Sequence, residues 1–424
     1  MYQEYDMTSY KLYVIPTERF KRNTVRLIFS KPVKKEEISL FTLLLNVLFE
    51  GSKKYPTGRK IRIETDNLYG LGWSMSTTIS GTHLVGCIQF NFLDEYYTEK
   101  GMMKKSIDFM KEILFHPNVE NGKFQKETLE KVRYELIELI KTEKENHGKY
   151  ARKRLNQELS SDSPISYSDL GYIEDYEKID EKMLYDYYQT FLKTVNLDIF
   201  VCGRTKHTDW KKVISDFIPN NIFKKQKQTS YYITHKKFLK RMKTVIEKER
   251  NNQSILYLGC KVKELTLFEK QYVTYIYNYI LGGGTDSLLF QNVREKESLC
   301  YSISSGFQNL DHLFLVKAGI DGKNFLKTKK LIQKQMEKMK NGEFSDSMIQ
   351  NAITVYLQAK EELTDSVNGL IANVDSHVNF GYDLYEIQKE QIKKVTKEDL
   401  CALANKILPQ VTFLLEGEES HEKN

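Results

Sequence analysis

The sequence predicts two diverged copies of one α+β domain in tandem, and three observations predict it. The order strand, helix, β-hairpin, helices, helix, strand runs twice along the 424 residues. Both runs close on the same landmarks. Gly171-Tyr172 precedes a capped helix, an apolar strand and Gly203; Gly381-Tyr382 precedes another such helix, strand and Gly417, displaced by 210 and 214 residues. With 40% hydrophobic and 29% charged residues, the chain carries enough apolar material to fill more than one core.

In the first copy, apolar alternation predicts a strand at 23–31, and a dense apolar run predicts a helix at 38–50. A hairpin of 72–80 and 82–93 turns at Ser80-Gly81. A helix at 97–114 and a long charged helical stretch at 124–158 come next. Asp180 caps a helix over 180–192, and a strand at 196–201 stops at Gly203. The second copy repeats this with a strand at 253–263, a helix at 267–281, a hairpin of 300–307 and 312–320, and helices at 323–340 and 345–362. Thr396-x-x-Asp399 approximates a capping box for a helix over 396–407, and a strand at 411–415 stops at Gly417. The expected domains are 1–222 and 251–424, joined at 223–250.

That junction holds ten Lys and Arg residues, among them Lys224, Lys236, Arg241 and Arg250. It reads as a solvated linker rather than a nucleic-acid surface, because no RNA-binding fingerprint with interleaved aromatics accompanies it. A net charge of +7 over so long a chain is mild. No window approaches 18 uninterrupted apolar residues, so no membrane-spanning helix is expected. The charged N-terminus lacks a secretory apolar stretch, and the five cysteines are scattered without a CxxC pair. A reducing cytoplasm is the expected compartment.

Several chemistries lack their residues. The eight histidines are nowhere closer than 28 positions, so no helix face presents two imidazoles to a metal. There is no GxSxG elbow and no P-loop. The glycine cluster Leu281-Gly282-Gly283-Gly284-Thr285-Asp286-Ser287 fails GxGxxG and reads as a loop that ends one helix and, through Thr285 or Asp286, caps the next.

The segment directly after that cluster is more specific. Leu288-Leu-Phe-Gln-Asn-Val-Arg294-Glu-Lys-Glu-Ser-Leu-Cys-Tyr301-Ser-Ile, taken with Leu281–Ser287, resembles the LGGGxxSRLFQxxREKxGLxYSV segment of the insulinase/pitrilysin-type metallopeptidases, which include the mitochondrial processing peptidase. Leu288 replaces the usual Arg, and Ser298 the usual Gly. The resemblance implies that Arg294 and Tyr301 bind substrate-peptide carbonyl groups, a role suited to a guanidinium fork and a phenol. Without it, the pair would read as an exposed helix arginine and a strand tyrosine.

The first half resembles the same family at Leu48-Phe49-Glu50-Gly51-Ser52-Lys53-Lys54-Tyr55-Pro56-Thr57, which is similar to the LFKGTKKYPT that comes after the family's HxxEH zinc helix. Counting back places the two ligand histidines at Thr42 and Asn46 and the catalytic glutamate at Leu45. All three are replaced, and their side chains supply neither a His₂Glu zinc shell nor a base. Glu135, within 129–139, is the candidate relic of the third ligand.

The resemblance implies a clam-shell pair of domains, each an antiparallel-rich sheet covered by helices, with no metal and no catalytic residue in this chain. It further implies a bacterial heterodimer in which a homologous HxxEH-bearing subunit supplies zinc and base. This chain would supply Arg294, Tyr301 and half the chamber wall, and unfolded or leader peptides would be the substrate. Two alternatives stand beside it: a structural or assembly protein that keeps the fold without proteolysis, and a nucleic-acid-associated protein using the basic linker.

Overall fold

The computed structural model describes residues 2–161, 163–219, 221–251 and 253–417. Two compact units account for them. The first contains the chain as far as Thr142, Tyr167–Tyr231 and Thr364–Val374; the second contains Glu143–Ser166, Tyr232–Leu363 and the chain from Asp375 onward.

The first unit opens with β1 (Gln3–Asp6), β2 (Lys11–Pro16) and β3 (Arg22–Pro32). Helices α1 (Ile38–Glu50) and α2 (Gly58–Asn67) lead to the hairpin β4 (Gly72–Ser80) and β5 (His83–Leu93). Then come α3 (Met102–Phe115), the small hairpin β6 (Val119–Glu120) and β7 (Lys123–Phe124), and α4 (Lys126–Thr142). Helix α5 (His147–Leu159) belongs to the second unit. The first unit resumes with α6 (Ile173–Tyr176), α7 (Glu181–Thr194), β8 (Asn196–Gly203) and α8 (Trp210–Phe217).

The second unit contains β9 (Lys243–Glu249), β10 (Ser254–Val262) and α9 (Thr274–Asn278), which is flanked by π-helical turns at Glu269–Val273 and Tyr279–Gly283. A third π-helical turn, Phe290–Glu295, precedes the hairpin β11 (Cys300–Gln308) and β12 (Leu313–Ile320). Helices α10 (Phe325–Asn341), α11 (Asp346–Leu363), α12 (Val367–Phe380), α13 (Tyr385–Gln391) and α14 (Lys397–Lys406) lead to β13 (Ile407–Gly417).

The sheets establish the duplication. The first runs β1-β2-β8-β3-β5-β4 and the second β11-β12-β10-β13-β9. Read from the hairpin edge, β4, β5, β3, β8 and β2 take the places of β11, β12, β10, β13 and β9. All neighbours are antiparallel except β2 with β8 and β9 with β13, which are parallel in both units.

Strand β9 lies within the 223–250 stretch expected as a linker, so part of that basic segment is sheet. The helical stretch expected over 124–158 breaks at 143–146, where Asn146 accepts from Lys149 N (3.0 Å) and starts α5 afresh. The helix expected from 97 starts at Met102, after a 3₁₀ turn at Glu95–Tyr97. The next helix after the glycine cluster is capped by neither Thr285 nor Asp286; Phe290 N donates to Ser287 Oγ (3.4 Å) instead.

Every residue of β10 is buried because both of its faces are covered. Leu256, Leu258, Cys260 and Val262 join the helical core of α9, α10 and α14, while Ile255 and Tyr257 meet Ala151, Leu155 and Leu159 of α5. That is why the strand reads as continuously apolar instead of alternating. In the first unit the segment 364–374 is held by polar contacts: Arg19 Nη1 to Asp365 Oδ1 (3.1 Å) and Arg26 Nη2 to Asn368 Oδ1 (2.5 Å).

The caps expected at the close of each copy are present. Asp180 Oδ1 accepts from Lys182 N (2.9 Å) and Met183 N (2.8 Å). Thr396 Oγ1 accepts from Asp399 N (3.2 Å), and Asp399 Oδ2 accepts from Thr396 N (2.9 Å). Asp180→Ala and Thr396→Ala should each cost about 1 kcal/mol. Differential scanning calorimetry should show this as a fall of about 2–4 °C in the melting of the unit that carries the change.

Candidate functional site

Helix α1 is buried through most of its length, and the three positions that the resemblance singles out, Thr42, Leu45 and Asn46, are part of that packing. Leu45 has no exposed surface, and Thr42 has almost none. Thr42 Oγ1 donates to the carbonyl of Asp169 (3.0 Å), and Asn46 Nδ2 donates to the carbonyl of Thr42 (2.8 Å). Both groups therefore satisfy backbone. Leu45 lies against Gly86 of β5 so closely that a Cβ at Gly86 would stand 2.4 Å from Leu45 Cδ1 and 3.1 Å from Phe41 Cζ. The helix thus settles onto the sheet where the strand has no side chain. Reading the sequence alone does not single out Gly86; a glycine inside a well-alternating strand is the available signal.

Glu135 projects from α4, which packs on α1, and its side chain is about half exposed. Its carboxylate lies 3.9 Å from Lys131 Nζ, while Lys131 pairs more closely with Glu50 (2.5 Å). Among the described residues no three His, Cys, Asp or Glu side chains gather as a metal site. A hydroxyl, an amide and an isobutyl group do not fit zinc or supply a base, so no hydrolytic step can be written through α1.

The glycine-cluster segment carries the other candidates. Gly282 is non-helical, and a Cβ there would meet Ser305 Oγ at 2.6 Å and Leu289 Cδ1 at 2.8 Å, so a side chain would force the turn away from β11. Arg294 lies in the π-helical turn, where Lys296 N donates to Gln291 O (3.0 Å). Such turns are rare and concentrate at functional positions. The Arg294 guanidinium rests over Phe290, 4.5 Å from its ring centre, with Nε 3.7 Å from Glu295.

Tyr301 stands where β11 shifts register against β12, between Cys300 and Ser302, and this bulge turns a largely exposed phenol outward. Arg294 and Tyr301 line one open cleft of about 510 Å³ with Ser298, Asp321 and Lys323. Cys300 also lines it, but burial pushes its thiol up to about 11 against the opposing pull of Arg294, so it is no thiolate nucleophile at neutral pH. The structure therefore brings Arg294 and Tyr301 together, in the second unit, at an edge strand of its sheet. Ser298, between them, adopts φ +51°, which explains why the resembled motif has Gly there.

Residues 178–356 match the family described as "Peptidase M16 inactive domain". Over 422 residues the chain is 29% identical to "Probable inactive metalloprotease YmfF" of Bacillus subtilis (strain 168), covering 96% of both chains. It is 26% identical over 316 residues to "Non-peptidase homolog YmxG" of Helicobacter pylori, covering 72% of this chain and 67% of that one. A crystal structure of a conserved protein from Enterococcus faecalis V583 superposes with a TM-score of 0.90 at 24% identity, over 99% of this chain and all of that one. The sequence likeness is that of an inactive homologue of the zinc peptidases. These matches, the family model spanning 178–356, support an inactive homologue of the M16, or insulinase-type, peptidases.

Leu45→Ala should cost about 2–5 kcal/mol, since the cavity would open beneath a helix fixed on a glycine. Ser298→Gly should act the other way, raising stability by about 0.5–1 kcal/mol after the greater freedom of the unfolded chain is counted. Paired chemical-denaturation curves would measure both.

Proposed function

We propose that this chain is the non-catalytic subunit of a heterodimeric zinc processing peptidase. A homologous HxxEH-bearing partner supplies the metal and the base. This chain supplies peptide-binding surface through Arg294 and Tyr301, together with half of the wall around the substrate. The observation that carries the reading is that α1 is rebuilt as apolar packing while Arg294 and Tyr301 line one cleft beside the edge strand β11. An extended peptide can add to such an edge through its main chain, with a guanidinium and a phenol donating to its carbonyl oxygens.

The reaction class on this reading is hydrolysis of unfolded or leader peptides, performed by the partner. The chain's own contribution is to bind and orient. The two domains of 1–222 and 251–424, the cytoplasmic location and Glu135 as a relic ligand belong to the same proposal. Nothing in it needs nucleic acid, and among the described residues no helix is long and apolar enough to cross a membrane.

A second reading, a structural or assembly protein, is favoured by the local support Arg294 already has from Phe290 and Glu295. The two readings separate in one experiment. Purification from the native host should co-elute an HxxEH-bearing chain with about one zinc per pair, and cleavage should need both chains. Arg294→Ala with Tyr301→Phe should then lower kcat/KM about 10- to 100-fold, with zinc content and pairing unchanged. A zinc-free homodimer without cleavage, or a double variant as active as the parent, would leave the structural reading.

A further inference from the structure

A second cleft of the second unit, about 370 Å³ in volume, carries two lysines and, among the described residues, no acid in its lining. It is lined from α9 and its preceding π-helical turn by Lys270, Thr274, Tyr275 and Asn278, and from α11 by Tyr356 and Lys360, with the end of β11 closing it at Phe307. The spacings 270, 274, 278 and 356, 360 each place one helix face on the cleft.

Among the described residues, neither ammonium group has a carboxylate within ion-pair distance. Lys270 Nζ sits 3.5 Å from the ring centre of Tyr232. Lys360 Nζ lies 5.1 Å from the ring centres of both Tyr356 and Tyr385. Burial depresses both lysines from the usual range, and Glu264 only partly offsets this for Lys270, without contact. The aromatic faces offset part of the burial cost of each cation, and an anion in the cleft would offset more. At the same cleft, the buried Gln271 Nε2 finds no acceptor.

Duplication gives the place a meaning. Helix α9 packs on α11 and β11 as α1 packs on α4 and β4. Thr274 and Asn278 stand four apart on α9, as Thr42 and Asn46 do on α1. The lysine cleft therefore occupies, in the second copy, the position where the first copy has its degenerate metal site.

We propose that this cleft binds the carboxylate of an amino-acid or peptide ligand, held between Lys270 and Lys360, with its apolar body against Tyr275, Phe307 and Tyr356. A carboxylate suits the cleft better than a phosphate. The cleft is walled by the sides of helices and by side chains, whereas phosphate sites draw on runs of backbone N–H at helix starts and nests. The volume matches one or two residues of a peptide. The inference is independent of Arg294 and Tyr301 and of any partner subunit.

Isothermal titration of the full-length chain tests it directly, with N-acetyl-phenylalanine, its uncharged amide and inorganic phosphate as probes. The acid should bind at least about tenfold more tightly than the amide, and Lys270→Gln or Lys360→Gln should each weaken the acid about tenfold. Lys360→Arg should retain binding, which separates loss of charge from loss of fold, and calorimetric melting should confirm that each variant is folded. Equal affinity for acid and amide, no heat from the acid up to about 10 mM, or folded Lys→Gln variants that bind as the parent does would overturn the proposal. Phosphate that binds as tightly as the acid and displaces it would overturn the carboxylate assignment.

Discussion

Burial of α1 against β5 is the constraint on which the rest of the first unit depends. The helix is apolar on nearly every side, with Phe41, Leu43, Leu44, Leu45, Val47 and Leu48 all enclosed. A helix of that kind must lie inside the protein, and Gly86 is what lets it approach so closely. Polar atoms on it are tolerated only when they are hydrogen-bonded, and Thr42 and Asn46 meet that condition by donating to carbonyl oxygens. In an active relative the same positions would hold ionisable groups compensated by zinc. In this chain ordinary core physics governs, and a fully buried Leu45 against Gly86 is a better occupant than any unpaired acid.

The same constraint explains which parts of the fold are legible in the sequence. The α1 helix, both hairpins and the strand stopped at Gly203 obey apolar periodicity and turn chemistry, and they lie where the pattern places them. The caps at Asp180 and Thr396 are readable because capping is a local interaction of a few residues. Strand β9 is not readable. Its sequence, Lys-Thr-Val-Ile-Glu-Lys-Glu, is mostly charged because it is an edge strand, and it joins the sheet through parallel pairing with β13, more than 160 residues away. The composition of an edge strand resembles that of a linker, and only the partner distinguishes them.

The helical region after β10 shows a different limit. Apolar spacing predicts one helix over 267–281, and a helical segment is present, but two π-helical turns interrupt its regular α geometry. A sequence pattern with a period near 3.6 tolerates one extra residue in a turn, so the bulges leave no clear mark. Such irregularities also set side-chain directions. The turn at Phe290–Glu295 sets where Arg294 points, and the bulge in β11 sets where Tyr301 points, so the cleft they share depends on two irregularities that periodicity misses. The motif identifies the residues through resemblance; backbone geometry brings them together. Ser298 marks the same boundary, since its positive φ is imposed by the turn and not by its own preference.

The duplication makes the two units controls for each other. Equivalent strands occur in the same order with the same single parallel pair, so the scaffold has been held constant while the side chains on the α1 and α9 faces diverged. In the first unit that face has become apolar contact with Gly86 and bonds to the local backbone. In the second it carries Lys270 beside Tyr232 and faces Lys360 across an open cleft. Packing alone would favour closure at both positions, because an exposed cleft forgoes burial and two unpaired ammonium groups add a desolvation cost. One position closed and the other stayed open with cations on its walls. Burial accounts for the first outcome; in the second, the faces of Tyr232, Tyr356 and Tyr385 take up part of the cost of the two cations, and the cleft between them stays open to a ligand.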